Sequence, residues 1–297
     1  MTKHSLAAAC TLTLASLGLA STSLAGTAAP AKACKAVTET IKESCITGDI
    51  GIDIVSMYIA RGIPKENQGA ILQPYLDLSF RVYEGGGALT KVSVDLGFWN
   101  SFHSEHTGAS AGSTTANWFE SDFTAGLSFV FNKKLTVSPY YRAYMSPNDA
   151  FETAHNAGVR FAFDDSDLLG AWALHPYALV QFDLENSSGN GTDSGVYYEV
   201  GIAPGLRLGP VALSLPIKAG FGSSDYYAGN AGYGFFSAGV NAEYQLAFIP
   251  ECLGAWSAHA HATYYNLGNG TDGASVPAVR DQDENEFVFG GGLRVAF

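Results

Sequence analysis

Along most of this chain, apolar residues fall on every second position. From Glu286 to Phe297 one face carries Phe287, Phe289, Gly291, Leu293, Val295 and Phe297, and the other Glu286, Val288, Gly290, Gly292, Arg294 and Ala296. Such period-two alternation marks a β-strand whose two faces meet different surroundings. It recurs where Leu72, Pro74, Leu76, Leu78 and Phe80 alternate with Gln73, Tyr75, Asp77, Ser79 and Arg81, and again over 92–99, 119–129 and 196–208. In the third of these stretches Phe119 falls on the apolar face with Phe123 and Phe129; the fourth reads as one unbroken strand. Twelve strands are expected, starting near Gly48, Gly69, Lys91, Trp118, Leu135, Glu152, His175, Gly195, Val211, Gly232, Trp256 and Glu286.

These stretches run to about 10–14 residues, against a mode of roughly 5–6 in soluble proteins. That is the length a tilted strand needs to cross a bilayer. A soluble sandwich would alternate too, but Tyr, Trp and Phe gather near the strand ends, as in the girdles of outer-membrane barrels. The expected fold is therefore all-β: a transmembrane antiparallel β-barrel of about 12 strands over residues 48–297. Connections 103–117, 185–194 and 267–285 are long and rich in Gly, Ser, Thr, Asn and acid, whereas 132–134 and 209–210 are tight turns. Long outer loops and short periplasmic turns alternate in this way. The connection Asp164–Leu174 is too long for its place, and a hairpin miscounted there would make ten or fourteen strands.

Composition agrees with a membrane barrel. Charged residues make up 15% of the 297, below the roughly 25% of a soluble domain, and mean hydropathy is +0.07. Yet no run after Gly26 approaches the roughly 18 apolar residues of a membrane helix. At the N-terminus, Lys3 and His4, an apolar stretch from Leu6 to Leu24, and Ser23-Leu24-Ala25 form the pattern of a secretory signal peptide over 1–25. A single membrane anchor fits less well, because Thr and Ser interrupt the stretch and no charged stop follows. Residues 26–47 then form a periplasmic N-terminal segment, helical at most between Lys35 and Ser44. Losing Lys3 leaves 15 bases against 28 acids, a balance that excludes nucleic acid as partner. The expected location is the outer membrane of a Gram-negative-type envelope, with membrane lipid and small solutes as partners. The alternating tail ending at Phe297 resembles the signal read by the bacterial barrel-assembly machinery. No motif calls for a cofactor.

With apolar residues assigned to lipid, the opposite face lines a lumen. It carries Asp53, Asp77, Asp95, Glu120, Asp122, Asp183, Glu199 and Glu243, and the bases Arg81, Arg142, Arg160, Arg207, Lys218 and Arg294. Facing charges of this kind set ion selectivity in a pore; paired across the lumen, they would close it. Eight acids against six bases give a weak cation preference. The expectation is a pore for passive diffusion of small hydrophilic solutes, and the alternative is a structural or adhesive barrel with a closed lumen. A barrel enzyme acting on lipids needs Ser with His on the outer rim, and neither His155 nor His175 has a matching Ser nearby. No metal site is assigned; His259 and His261, on one strand face, form a weak candidate pair with Glu243 as the nearest third ligand.

Ser56-Met57-Tyr58-Ile59-Ala60-Arg61-Gly62, with Gly97-Phe98-Trp99-Asn100-Ser101 further on, resembles the TorF-type porins of bacterial outer membranes. There a first strand ends in S-x-Y-x-x-R-G and a later one carries G-x-W-x-S. The resemblance spans about 50 residues, and Pro64-Lys65 departs from it where polar residues are expected. It implies an outer-membrane barrel passing solutes, and singles out Ser56, Tyr58, Arg61, Gly62, Gly97 and Trp99. Removing Cys10 with the signal leaves Cys34, Cys45 and Cys252; Cys34 with Cys45 is the first expected pairing, either with Cys252 the second.

Overall fold

Wall strands pair in chain order, each antiparallel to the next, in a computed structural model that describes residues 44–191, 194–271 and 283–297. They are β1 Ile46–Val55, β2 Ile71–Glu84, β3 Leu89–His103, β4 Trp118–Phe131, β5 Leu135–Met145 and β6 Ala154–Phe163. The second half comprises β7 Tyr177–Glu185, β8 Val196–Ile202 continued by Gly205–Leu208, and β9 Val211–Ser214 continued by Ile217–Gly222. It ends with β10 Tyr233–Gln245, β11 Ala255–Leu267 and β12 Asn285–Ala296. β1 pairs with both β2 and β12, so the sheet closes on itself as a twelve-strand antiparallel β-barrel. Gly48 and Phe297 seal the seam, each backbone N–H donating to the other's carbonyl at 2.9 Å.

Each strand starts within two residues of its expected position. The long connection after β6 holds a short helix, Ser166–Leu169, and a 3-10 turn, Gly170–Trp172, instead of a strand pair. Twelve is thus the count. The wall differs from the expected pattern at two places. The stretch 196–208 is not one strand: β8 and β9 both break, at Pro204 and Pro216, because proline has no N–H to give the ladder. Leu215 N–H donates to the Pro204 carbonyl at 2.8 Å and keeps the two halves together. Phe119 does not face lipid; a register shift between Ser101 and Phe102 turns it inward, where it is 3% exposed.

The barrel is turned inside out relative to a soluble protein. Outward positions are large and apolar, among them Ile50, Phe98, Val240, Phe289 and Leu293. The buried inward positions include Asp49, Gln73, Ser93, Asp122, Gln181 and Ser237. Such a surface belongs in hydrocarbon, and the closed ladder leaves no unpaired edge there. This is the architecture of an outer-membrane barrel. Outward aromatics pair across strands, Phe98 with Phe123 at 5.2 Å and Tyr264 with Phe287 at 5.3 Å between ring centroids. Cys45 and Cys252 are exposed and, among the described residues, are not bonded to each other. The signal peptide, most of the segment 26–47 with its short helix, and Cys34 lie outside the described residues, and with Cys34 the first expected pairing.

The two faces respond oppositely to charge. Val240, outward near the middle of β10, should not tolerate arginine: Val240→Arg is expected to destabilise the barrel by about 2–4 kcal/mol. Urea unfolding in lipid vesicles measures this, and an unchanged midpoint would contradict the outward assignment.

Candidate pore and the hairpin inside it

The inward face carries a connected set of charges. Arg294 binds Asp49 at 2.6 Å and Glu243 at 3.3 Å. Glu199 accepts hydrogen bonds from Tyr177 and Tyr197, both at 2.6 Å, and faces Lys218 at 3.7 Å. Asp95 accepts from Ser79 at 2.7 Å and Ser128 at 2.5 Å. Arg142 donates to Thr124 at 2.8 Å. The Arg160 guanidinium lies 4.4 Å over the Tyr177 ring, and Arg81 pairs with Glu84 at 2.9 Å. Asp77 points at Gly97, where a Cβ would stand 2.9 Å from its carboxylate. Asp183 is bonded by Asn156 and Ser188. Arg207, on the short second half of β8, is exposed near one mouth.

Tyr58–Glu66, beyond the end of β1, departs most from expectation. The S-x-Y-x-x-R-G segment is not a strand end. β1 stops at Val55, and Tyr58–Ala60 and Ile63–Glu66 form a separate two-stranded hairpin. Arg61 and Gly62 make its turn with φ of 51° and 84°, the pair of positive values a two-residue type I′ turn requires. A side chain at Gly62 would also strike the Phe235 ring at 2.7 Å. The hairpin packs into the barrel: Ile63 and Glu66 are fully buried, Ile63 in a cluster with Tyr197, Tyr226, Tyr227, Phe235 and Leu267.

Ser56, Tyr58, Arg61 and Trp99 of the motif have a part in seating it, whereas Gly97 lies on the wall beside Asp77 and Thr124. Ser56 stays on the wall, its N–H on the Phe289 carbonyl and its hydroxyl oxygen accepting from Phe289 N–H. Tyr58 donates to Glu120 at 2.9 Å, and its ring lies 5.2 Å from that of Trp99. Arg61 donates to the Tyr144 hydroxyl at 2.6 Å and the Ser188 carbonyl at 2.7 Å, while Tyr227 donates to the Arg61 carbonyl at 2.8 Å. Glu66 caps the exit turn by accepting from Asn67 N–H and Gln68 N–H, and also receives the Thr107 hydroxyl. The two motif segments, distant in sequence, therefore meet at one place.

Beside the hairpin a cavity of about 60 Å³ remains, lined by Arg61, Lys65, Glu120, Tyr144 and Ser187–Gly189 among others. Burial there pushes the Lys65 ammonium down to about 8, against the upward pull of Glu120. Farther along the lumen, the side chains of Arg81 and Glu243 are about one-fifth exposed.

Two other candidates are changed by the geometry. His259 binds Asp53, and Glu243 is taken by Arg294, so the carboxylate suggested as a third ligand is engaged elsewhere. Ser101 and His103, unmarked in the sequence reading as a pair, lie 2.8 Å apart, with His103 2.7 Å from Thr107 and Thr107 on Glu66. A nucleophile needs access, but Ser101 is fully buried and His103 is 1% exposed. The chain of bonds joins the hairpin exit to loop 104–117 and is structural. Alternation along β3 shows both side chains inward, but only the inward hairpin reveals what they hold.

No family model matches the chain, and no curated protein does. Solved structures with a similar course include the NanC porin (10% identity, 83% of this chain and 98% of that one, TM-score 0.47). An outer-membrane channel from Pseudomonas putida F1 has 10% identity over 90% and 100%, TM-score 0.48. Outer-membrane phospholipase A from Escherichia coli has 13% over 84% and 92%, TM-score 0.41. At these values they carry no functional assignment.

The inward hairpin has a direct test. In a background without native cysteines, Ile63→Cys should resist a water-soluble maleimide in the folded barrel and react once the barrel is heat-unfolded. Rapid labelling of the folded form would show the hairpin to stand outside.

Proposed function

We propose that this protein is a porin-like outer-membrane channel for passive diffusion of small hydrophilic solutes, with the hairpin at 58–66 as its constriction. The observation that carries the reading is that the outer part of a polar lumen is occupied by a loop, not by the wall. The hairpin leaves the wall after Ser56 and rejoins it at Ile71, and no wall-strand ladder depends on it. Membership of the TorF-type porins belongs to the same proposal, supported by the contact of Tyr58 with Trp99. So does assembly through the tail ending at Phe297.

Weak cation preference is retained as part of this reading. Asp49 and Glu66 join the inward acids and Arg61 and Lys65 the inward bases, so the excess of two acids stands. At the constriction Arg61, Lys65 and Arg142 oppose Glu120 and Asp122. Lys65 is protonated below about 8 and neutral above, and losing that proton removes a positive charge from the narrowest part. Cation preference should therefore rise as pH passes from 7 to 9.

One observation favours a closed structural barrel instead: the lumenal charges are extensively paired, and Ile63 sits in a buried aromatic cluster. Planar-bilayer recording separates the two. The channel reading expects small discrete steps from the intact protein, and larger steps when residues 58–66 are replaced by a short Gly-Ser linker. Under a salt gradient the reversal potential should move toward the cation limit between pH 7 and 9, and Lys65→Gln should abolish that movement. A folded barrel that conducts in neither form would establish the closed reading.

A further inference from the structure

We propose that Asp164, Asp165 and His175, at the ends of the connection between β6 and β7, form a binding site for a single divalent transition-metal ion such as Zn²⁺. Among the described residues these three bring one nitrogen and two carboxylate oxygens within 4.8 Å of one another. His175 Nδ1 lies 3.8 Å from Asp164 Oδ1 and 3.8 Å from Asp165 Oδ1. Those separations are too long for hydrogen bonds. The imidazole is 6% exposed, and its Nδ1 is buried with no hydrogen-bond partner. A buried ring nitrogen facing two carboxylates without bonding either is costly, unless something sits between them. With metal–ligand bonds of about 2.0–2.2 Å, two ligands of a tetrahedral ion stand about 3.4 Å apart, so the two nitrogen–oxygen edges need to contract by tenths of an ångström and the edge between the carboxylates by at most about 1.4 Å.

The surrounding bonds hold the ligands in place. Asp165 accepts from the backbone N–H of Leu174 and of His175, at 3.0 and 2.9 Å, which ties the start of the connection to its end. Asp164 accepts from Ser166 N–H at 3.0 Å. Each carboxylate keeps lone pairs for an ion, and two negative charges with one neutral imidazole suit a dication. One nitrogen and two oxygens select Zn²⁺ or a neighbouring first-row ion over calcium, whose ligands are oxygens. Three protein ligands leave a position for water. Bound there, the ion would clip the two ends of the connection together at the end of the barrel that carries the short turns.

The test is calorimetric titration of Zn²⁺ into the untagged, folded full-length barrel in detergent, with cysteines alkylated so that Cys45 and Cys252 do not compete. One Zn²⁺ per barrel is expected. Asp164→Asn keeps the acceptor for Ser166 and weakens the ligand, and His175→Asn suits the left-handed backbone there, φ 49°. Each should weaken binding at least about tenfold, while His259→Ala leaves it unchanged. Heat-dependent gel migration verifies folding, and Asp164→Asn alone decides the matter if His175→Asn does not fold. Absence of binding, affinity unchanged in the folded variants, or loss with His259→Ala would overturn the proposal.

Discussion

Closure of the backbone ladder between β1 and β12 is the constraint from which the rest of this structure follows. Hydrocarbon offers no partner to an unpaired N–H or C=O, so a sheet that crosses it must have no edge. Gly48 and Phe297 satisfy each other at the seam, and the register continues from Asp49 opposite Ala296 to Val55 opposite Gly290. An antiparallel sheet closes this way only with an even number of strands. That parity places both ends of the barrel sequence at one mouth. It also sorts the connections, with the tight turn 132–134 at that mouth and the hairpin-bearing segment 56–70 at the other.

Closure at twelve strands then creates a second problem. Eight strands make an interior that wall side chains can fill; twelve enclose more space. Part of it is taken by inward aromatics laid over glycines on neighbouring strands, as Tyr75 lies on Gly51 and Tyr140 on Gly158. Part is taken by the hairpin. Because charges inside are costly unless paired, much of the polar filling is built from pairs such as Arg294 with Asp49 and Glu199 with Lys218. An unpaired charge left there would carry a desolvation cost of several kcal/mol.

The wall was legible in the sequence because alternation reports a physical boundary at every residue: lipid on one side, lumen on the other. Leu76 and Asp77 announce their faces without reference to any partner. What the alternation could not report is where a strand stops serving that boundary. Tyr58–Glu66 contains apolar residues in strand-like order, yet both of its faces are buried in protein, and its short ladder is its own. The Arg61-Gly62 turn was visible as residues but not as a turn, since an isolated Arg-Gly pair specifies type I′ geometry far less strongly than Asn-Gly. Phe119 misled for a related reason: a bulge shifts the period by one, and nothing in Trp118-Phe119-Glu120 marks which residue is extra. The Asp164–His175 connection was read as an anomaly of length, whereas its content lies in side chains brought together from its two ends.

The way the hairpin is held bears on whether it can move. Its apolar anchors are few: Ile63, whose burial contributes about 1.5–3 kcal/mol, Ile59 packed against the same cluster, and the Tyr58 ring against Trp99 and Phe119. The remaining ties are hydrogen bonds, worth about 1.5–3 kcal/mol net where a charged partner takes part, as for Tyr58 on Glu120, Arg61 and Glu66, and about 0.5–1.5 kcal/mol for Tyr227 on the Arg61 carbonyl. In a wet lumen water would replace most of them on release. The wall strands, by contrast, have only hydrocarbon as the alternative partner on their outer side, and their ladders cannot open singly. Two regions of very different local stability thus share one barrel, and local opening of proteins follows such differences. A loop seated by replaceable bonds inside a wall that cannot yield is the arrangement in which a constriction can rearrange while the barrel stays intact.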